Sequence, residues 1–124
     1  MSYYPDLTEY SYTKENQYTN TINVGWLDKD HHFSSGEVSQ EFIDRLFNIC
    51  CSPVLKTRGW HPCPFCSSYP VNVQKKEKKL ILGAAEIRVI WKNKIYASPD
   101  LIYHYVTSHQ YRPPREYIDA VLES

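Results

Sequence analysis

From Val38 to Cys51 the apolar positions recur at helical spacing. Phe42, Leu46, Ile49 and Cys50 form one stripe, Ser39 precedes them as an N-cap, and Glu41 stands in the first turn. Ser52-Pro53 ends the run. Further on the period changes to two. Ile87, Val89 and Trp91 share one face of a strand over Glu86 to Trp91, and Glu86, Arg88 and Ile90 share the other. Leu80-Ile81-Leu82 and Ile95-Tyr96-Ala97 read as neighbouring strands, with Lys92-Asn93-Lys94 as a tight turn. Lys75-Lys76-Glu77-Lys78-Lys79 reads as a basic hairpin tip or loop. Ser98-Pro99-Asp100 has the chemistry of a helix start, with Ser as N-cap, Pro at the first helical position and an acid in the first turn. That helix carries Leu101, Ile102, Tyr105 and Val106 inward and reaches His109. Pro113-Pro114 stops it and opens a last helix, Arg115 to Leu122.

The first third of the chain is less regular. Tyr10-Ser11-Tyr12 alternates as an edge strand would, and Thr13 to Thr21 reads as a loop. Ile22 to Leu27 is a short strand candidate in which Gly25 marks a bulge or a close backbone approach. Asp28-Lys29-Asp30-His31-His32 turns; its adjacent histidines diverge in most backbones, so a solvated loop is expected rather than a metal site. The whole predicts one α+β domain over residues 1–124, with a short antiparallel sheet and two to three flanking helices.

Composition narrows the class. The chain has 124 residues, enough for one core but not two. No apolar run approaches the ~18 residues needed to span a bilayer. The N-terminus, Met1-Ser2-Tyr3-Tyr4-Pro5-Asp6, has neither a basic nor an apolar signal segment, so a cytoplasmic protein with reduced or metal-bound cysteines is expected. Cys50 and Cys51 are expected to be free thiols on the helix. The formal net charge is zero but unevenly spread: residues 1–55 hold eight acidic and three basic groups, and residues 56–124 hold six acidic and eleven basic. Two faces of opposite sign can steer a partner. Eleven Tyr and three Trp serve either a core with polar tips at its surface or an interface.

The sharpest chemistry is in two pairs. Cys63 and Cys66 are spaced C-x2-C inside Trp60-His61-Pro62-Cys63-Pro64-Phe65-Cys66, where two prolines stiffen a tight knuckle. His104 and His109 are spaced H-x4-H at a helix end. Two thiolates and two imidazoles are the ligand set of a closed, tetrahedral structural Zn2+ site. Residues five apart on an ideal helix differ by about 140° around the axis, so both rings face one ion only if the last turn loosens. The order knuckle, strands, helix is that of a ββα finger over residues 58–112, its hairpin enlarged because the stretch from Ser67 to Tyr103 is long. The competing reading is a Pro-rich turn with two reduced thiols and two surface histidines.

Tyr4-Pro5-Asp6-Leu7, Asn23 to Leu27, Arg58 to Cys66 and His104 to Pro114 together resemble a family of small uncharacterised bacterial proteins. The resemblance covers most of the chain and implies a stand-alone cytosolic protein, with no activity to carry over.

Three functions follow as expectations. The first is a zinc-stabilised module that binds a protein partner, possible forms being an inhibitor or an immunity-type protein. The second is nucleic-acid binding through Lys75, Lys76, Lys78, Lys79 and Arg88; against it stand the neutral balance and the weakness of a single finger. The third is a zinc hydrolase using His61 and Glu86 as additional or supporting groups, though four protein ligands leave no room for a water. Pro62 to Cys66 fits half of the zinc deaminase signature, but no H-x-E occurs anywhere in the chain, which excludes that reading.

Overall fold

The computed structural model describes residues 3–10, 20–56, 61–66, 71–75 and 77–124, with the backbone alone for 55 and 56. The expectations for Ser11 to Thr19, for Arg58-Gly59-Trp60 and for Lys76 fall outside the described residues. In chain order the elements are β1 (Thr8–Glu9), β2 (Thr21–Asn23), α1 (Gln40–Cys50), β3 (Leu55–Lys56), β4 (Val71–Lys75) and β5 (Lys78–Leu82). After these come β6 (Ala85–Trp91), β7 (Lys94–Pro99), α2 (Ile102–His109) and α3 (Arg115–Leu122). This is an α+β fold with one five-stranded sheet, ordered β1-β2-β7-β6-β3, and a separate β4-β5 ribbon.

The β6–β7 hairpin is the centre of the sheet. Its two-residue turn puts Lys92 and Asn93 at φ 49° and 65°, the left-handed pair whose twist matches that of the flanking strands. Every pairing in the sheet is antiparallel except β2 with β7, which is parallel. The alternation in β6 separates the faces as expected: Ile87 and Val89 are buried, while Ile90 on the opposite face is exposed. Helix α1 packs on β6, α2 and α3. Ser39 is its N-cap, accepting from the Phe42 amide at 3.1 Å, and Phe42, Leu46, Phe47 and Cys50 are its buried stripe. Phe47 replaces the expected Ile49 as the fully inward residue, since Ile49 is half-buried. Each large side chain sealed this way contributes roughly 1.5–3 kcal/mol.

Three of the core tyrosines keep their hydroxyls bonded. Tyr111 donates to Asp6 at 2.7 Å, Tyr96 donates to Glu116 at 2.6 Å, and Tyr117 accepts from Ser98 at 3.2 Å. The rings of Tyr96 and Phe42 meet that of Tyr117 edge-on. An amphipathic ring can be fully buried only on such terms.

Two boundaries differ from expectation. Ser98-Pro99 does not start a helix. Both residues belong to β7, where Ser98 faces Ile87 and Pro99 faces Glu86, and Ser98 spends its hydroxyl on Tyr117. Helix α2 begins after Leu101 with no side-chain cap. The second difference lies between Cys66 and His104. Where a ββα finger has one hairpin, this chain has two, the β4–β5 ribbon and then β6–β7. The basic tip is where the sequence puts it, at the end of the ribbon, with Lys75 facing Lys78.

Gly25 is the close approach that its position suggests. It sits at φ +85°, and a Cβ there would lie 2.7 Å from Cδ1 of Ile102 in the first turn of α2. Its amide donates to Asp6 at 2.9 Å, the carboxylate that Tyr111 also binds. Gly25→Ala combines a strained backbone with an overpacked neighbour, so a destabilisation of about 2–4 kcal/mol is expected in urea unfolding. A variant within 0.5 kcal/mol of the parent, by the usual limit for neutral surface changes, would mean that Ile102 yields freely.

Candidate metal centre

The knuckle is built around Phe65. Its ring lies edge-on to Phe33 at 5.1 Å and Tyr105 at 5.6 Å, and 5.4 Å from the His109 ring. That cage seats the turn against α2. The amide of Phe65 donates to Cys63 Sγ at 3.4 Å, folding the loop around its own sulfur. Burial pushes the Cys63 thiol up, while the Phe65 and Cys66 amides pull the other way.

Helix α2 ends in the loosened turn that the histidine spacing requires. Gln110 adopts a left-handed conformation, φ 57° and ψ 27°, and its amide reaches back five residues to the Tyr105 carbonyl. The Tyr111 amide meets the same oxygen at 3.1 Å. An i→i−5 turn is wider than an α-turn and brings positions five apart towards one side. His104 and His109 are those positions, and their Nε2 atoms lie 3.2 Å apart.

The two pairs meet atom by atom. Cys63 Sγ is 3.3 Å from His109 Nε2, and Cys66 Sγ is 3.4 Å from His104 Nε2. All four donor atoms lie within 4.8 Å of one another. A tetrahedron with Zn–S of 2.3 Å and Zn–N of 2.0–2.1 Å has S–N edges of about 3.6 Å and an N–N edge of about 3.3 Å. Three of the six edges, 3.2, 3.3 and 3.4 Å, are within about 0.3 Å of these, and the others reach no further than 4.8 Å. Cys63 and His104 are buried and Cys66 and His109 half-buried, which puts the centre just beneath the surface. Among the described residues this is the group of His, Cys, Asp or Glu side chains that could hold a metal ion.

The other candidates lie elsewhere. His61 is not in the cluster; burial lowers its pKa, and its amide donates to the Gly83 carbonyl at 2.8 Å. Glu86 is buried and engaged, accepting from Arg88 Nη2 at 2.6 Å and Nε at 2.8 Å and from the Tyr10 hydroxyl at 3.3 Å. Arg88 in turn lies 4.8 Å over the Tyr10 ring, so neither its charge nor that of Glu86 is on an open face. Lys75 pairs with Asp44 and sits over the Phe47 ring, while Lys78 and Lys79 are exposed. In the Asp28–His32 turn, His31 bonds Asp28 at 2.7 Å and stacks on Tyr3 at 3.8 Å, a solvated arrangement with no ligand cluster.

Sequence reasoning gave Asp100 only a helix-start role. Its buried carboxylate accepts from the Gly83 amide at 2.9 Å, and the amides of Ala85 and Leu101 also favour its charged form. Leu101 is the N-cap residue of α2, so Asp100 stands just ahead of the helix and spends its carboxylate on Gly83.

The chain belongs to the DUF7919 family, a domain of unknown function, whose model matches residues 2–122. No curated protein and no solved structure matches it. The match covers nearly the whole chain, as the resemblance did, and brings no activity with it. No described helix is long and apolar enough to cross a membrane.

Burial raises the Asp100 pKa from 3.8 to about 6, against the pull of its amides. The folded protein therefore holds this proton over a range where the unfolded chain has shed it. Stability from this group is present below pH 4, is lost as pH rises towards 6, and is level above. The stability of the parent minus that of Asp100→Asn should thus fall between pH 4 and 6, by on the order of 2–3 kcal/mol. Taking the difference cancels the titration of the cysteines and histidines. A difference independent of pH would contradict the shift.

Proposed function

We propose that the chain is a small zinc-stabilised cytoplasmic module that binds a protein partner. The observation that carries the metal reading is the convergence of the Cys63, Cys66, His104 and His109 donor atoms within 4.8 Å of one another, three of their separations lying near tetrahedral edge lengths. A tetrahedral S2N2 set favours zinc over hard cations, which prefer oxygen, and over octahedral metals. Four protein ligands close the coordination shell, so the ion acts as a clip between knuckle and helix rather than as a Lewis acid. Glu86, the candidate general base, is held by Arg88 and Tyr10, which argues further against hydrolysis.

The partner reading is supported by charge. Acidic groups dominate the first 55 residues and basic groups the rest, a division that suits steering towards another macromolecule. A protein is favoured over a nucleic acid because two of the side chains expected to meet phosphates are already engaged, Lys75 by Asp44 and Arg88 by Glu86.

Elemental analysis of protein never exposed to chelator should find about one zinc per chain. Cys63→Ser should abolish it and Cys50→Ser should keep it, since Cys50 is part of the buried α1 stripe. Chelation should lower the melting temperature, though by less than the ~10–16 kcal/mol of isolated finger peptides would give, because the sheet and α1 have a core of their own. Metal-free parent protein would overturn the reading.

The partner class is tested by replacing Lys75, Lys76, Lys78 and Lys79 with Gln. Every lysine–phosphate interaction removed in this way would flatten the salt dependence of duplex binding by about 0.9. The expected result is altered solubility and no nucleic-acid complex tighter than ~10⁻⁶ M at physiological salt in either protein. A tight, salt-steep complex that disappears in the Gln variant would establish nucleic acid as the partner instead.

A further inference from the structure

We infer that Asp100 is the positioning residue of the metal centre: its carboxylate holds the two ligand pairs in register before any ion arrives. The inference rests on the zinc reading above and concerns how that site is assembled.

The ligands come from two parts of the chain that are distant in sequence. Cys63 and Cys66 sit on the knuckle, and His104 and His109 sit on α2. Besides the contacts among the four candidate ligands and the packing of Phe65, a backbone bond ties the knuckle to the rest of the chain, from the His61 amide to the Gly83 carbonyl at 2.8 Å. The next link is on the same residue, where the Gly83 amide donates to Asp100 Oδ1 at 2.9 Å. Asp100 then leads directly into α2, whose first residue, Ile102, follows two positions later. A single carboxylate thus connects the residue two before Cys63 with the helix that carries both histidines. Its backbone is fixed as well, because the Asp100 amide donates to Ala85 at 3.0 Å and its carbonyl receives the Cys50 thiol from α1.

The steric fit at Gly83 is a second, independent observation. It has φ +115°, and a Cβ there would lie 2.5 Å from the His61 carbonyl oxygen, an approach that real side chains do not make. The knuckle therefore lies directly against a backbone that only glycine can provide. The hydrogen bonds and the steric fit act on the same junction, and both fix the distance between knuckle and α2. Groups that orient metal ligands typically change affinity 10–100-fold when removed.

The test is made on the full chain, stripped of metal and titrated with Co2+ and with Zn2+ against a chromophoric chelator. The parent should take up one Co2+ with the intense ligand-field bands of a tetrahedral S2N2 site. Asp100→Ala should bind Zn2+ about 10–100-fold more weakly and weaken or shift those bands. Asp100→Asn keeps an oxygen for the Gly83 amide and should retain more affinity than Asp100→Ala. Gly83→Ala, which displaces His61, should lose affinity by the other route. Leu46→Ala provides the control, since it opens the α1 core without touching the junction and should lower stability while leaving affinity and spectrum unchanged. If Asp100→Ala fails to fold, Asp100→Asn and Gly83→Ala carry the same expectation. A folded Asp100→Ala or Gly83→Ala variant with parental affinity and spectrum overturns the positioning role, as does an equal loss of affinity in Leu46→Ala. Parent protein that binds neither metal overturns the zinc reading itself, which is a different failure.

Discussion

Four electron-rich atoms within 4.8 Å of one another are the constraint on which this structure turns. Two sulfurs and two imidazole nitrogens have few protons to share, and lone pairs facing inward repel at such distances. A cation at the centre, which this group could hold, would relieve them all. The same atoms also join the two ends of the second half of the chain, so whatever satisfies them also fastens the knuckle to α2.

The surroundings explain why the ligands meet without distorting the core. Phe65 is sunk among Phe33, Tyr105 and His109, and Phe33 also touches Tyr111 just past the helix. The aromatic contacts set the depth of the knuckle, and the junction through Gly83 and Asp100 sets its lateral position. On the helix side, the left-handed Gln110 widens the final turn. Thr107 helps, since its hydroxyl bonds the Tyr103 carbonyl at 2.9 Å, an interaction that tends to bend helices.

Local signals in the sequence translated well into local structure. The Ser39 cap, the helix after Pro113-Pro114 and the Lys92-Asn93 turn each depend on neighbouring residues alone, and each is where the pattern puts it. The cluster of Cys63, Cys66, His104 and His109 was legible for a related reason: two short spacings of soft donors have few other uses. What failed was any feature decided by distant contacts. Ser98-Pro99 resembles a helix start until Tyr117 claims the serine hydroxyl and β6 claims the backbone. Val71 to Lys75 alternates apolar and polar residues, a strand signal overshadowed by the lysines that follow it. Gly83 and Asp100 carry no local signature, because their roles exist only once His61 lies beside them.

The parallel pairing of β2 with β7 has a kinetic meaning. Thr21 is opposite Ile95, and the hydroxyl of Tyr111 bonds a carboxylate 105 residues earlier in the chain. During synthesis the first strands leave the ribosome long before the strand that pairs with them exists. Closing such a loop spends chain entropy before contacts return it, and sheets joined this way assemble slowly. Paired with β1 alone, β2 lacks its second neighbour in the sheet until β7 has been made. Nascent chains of this kind are the ones that chaperones hold and that aggregate when expression outruns folding.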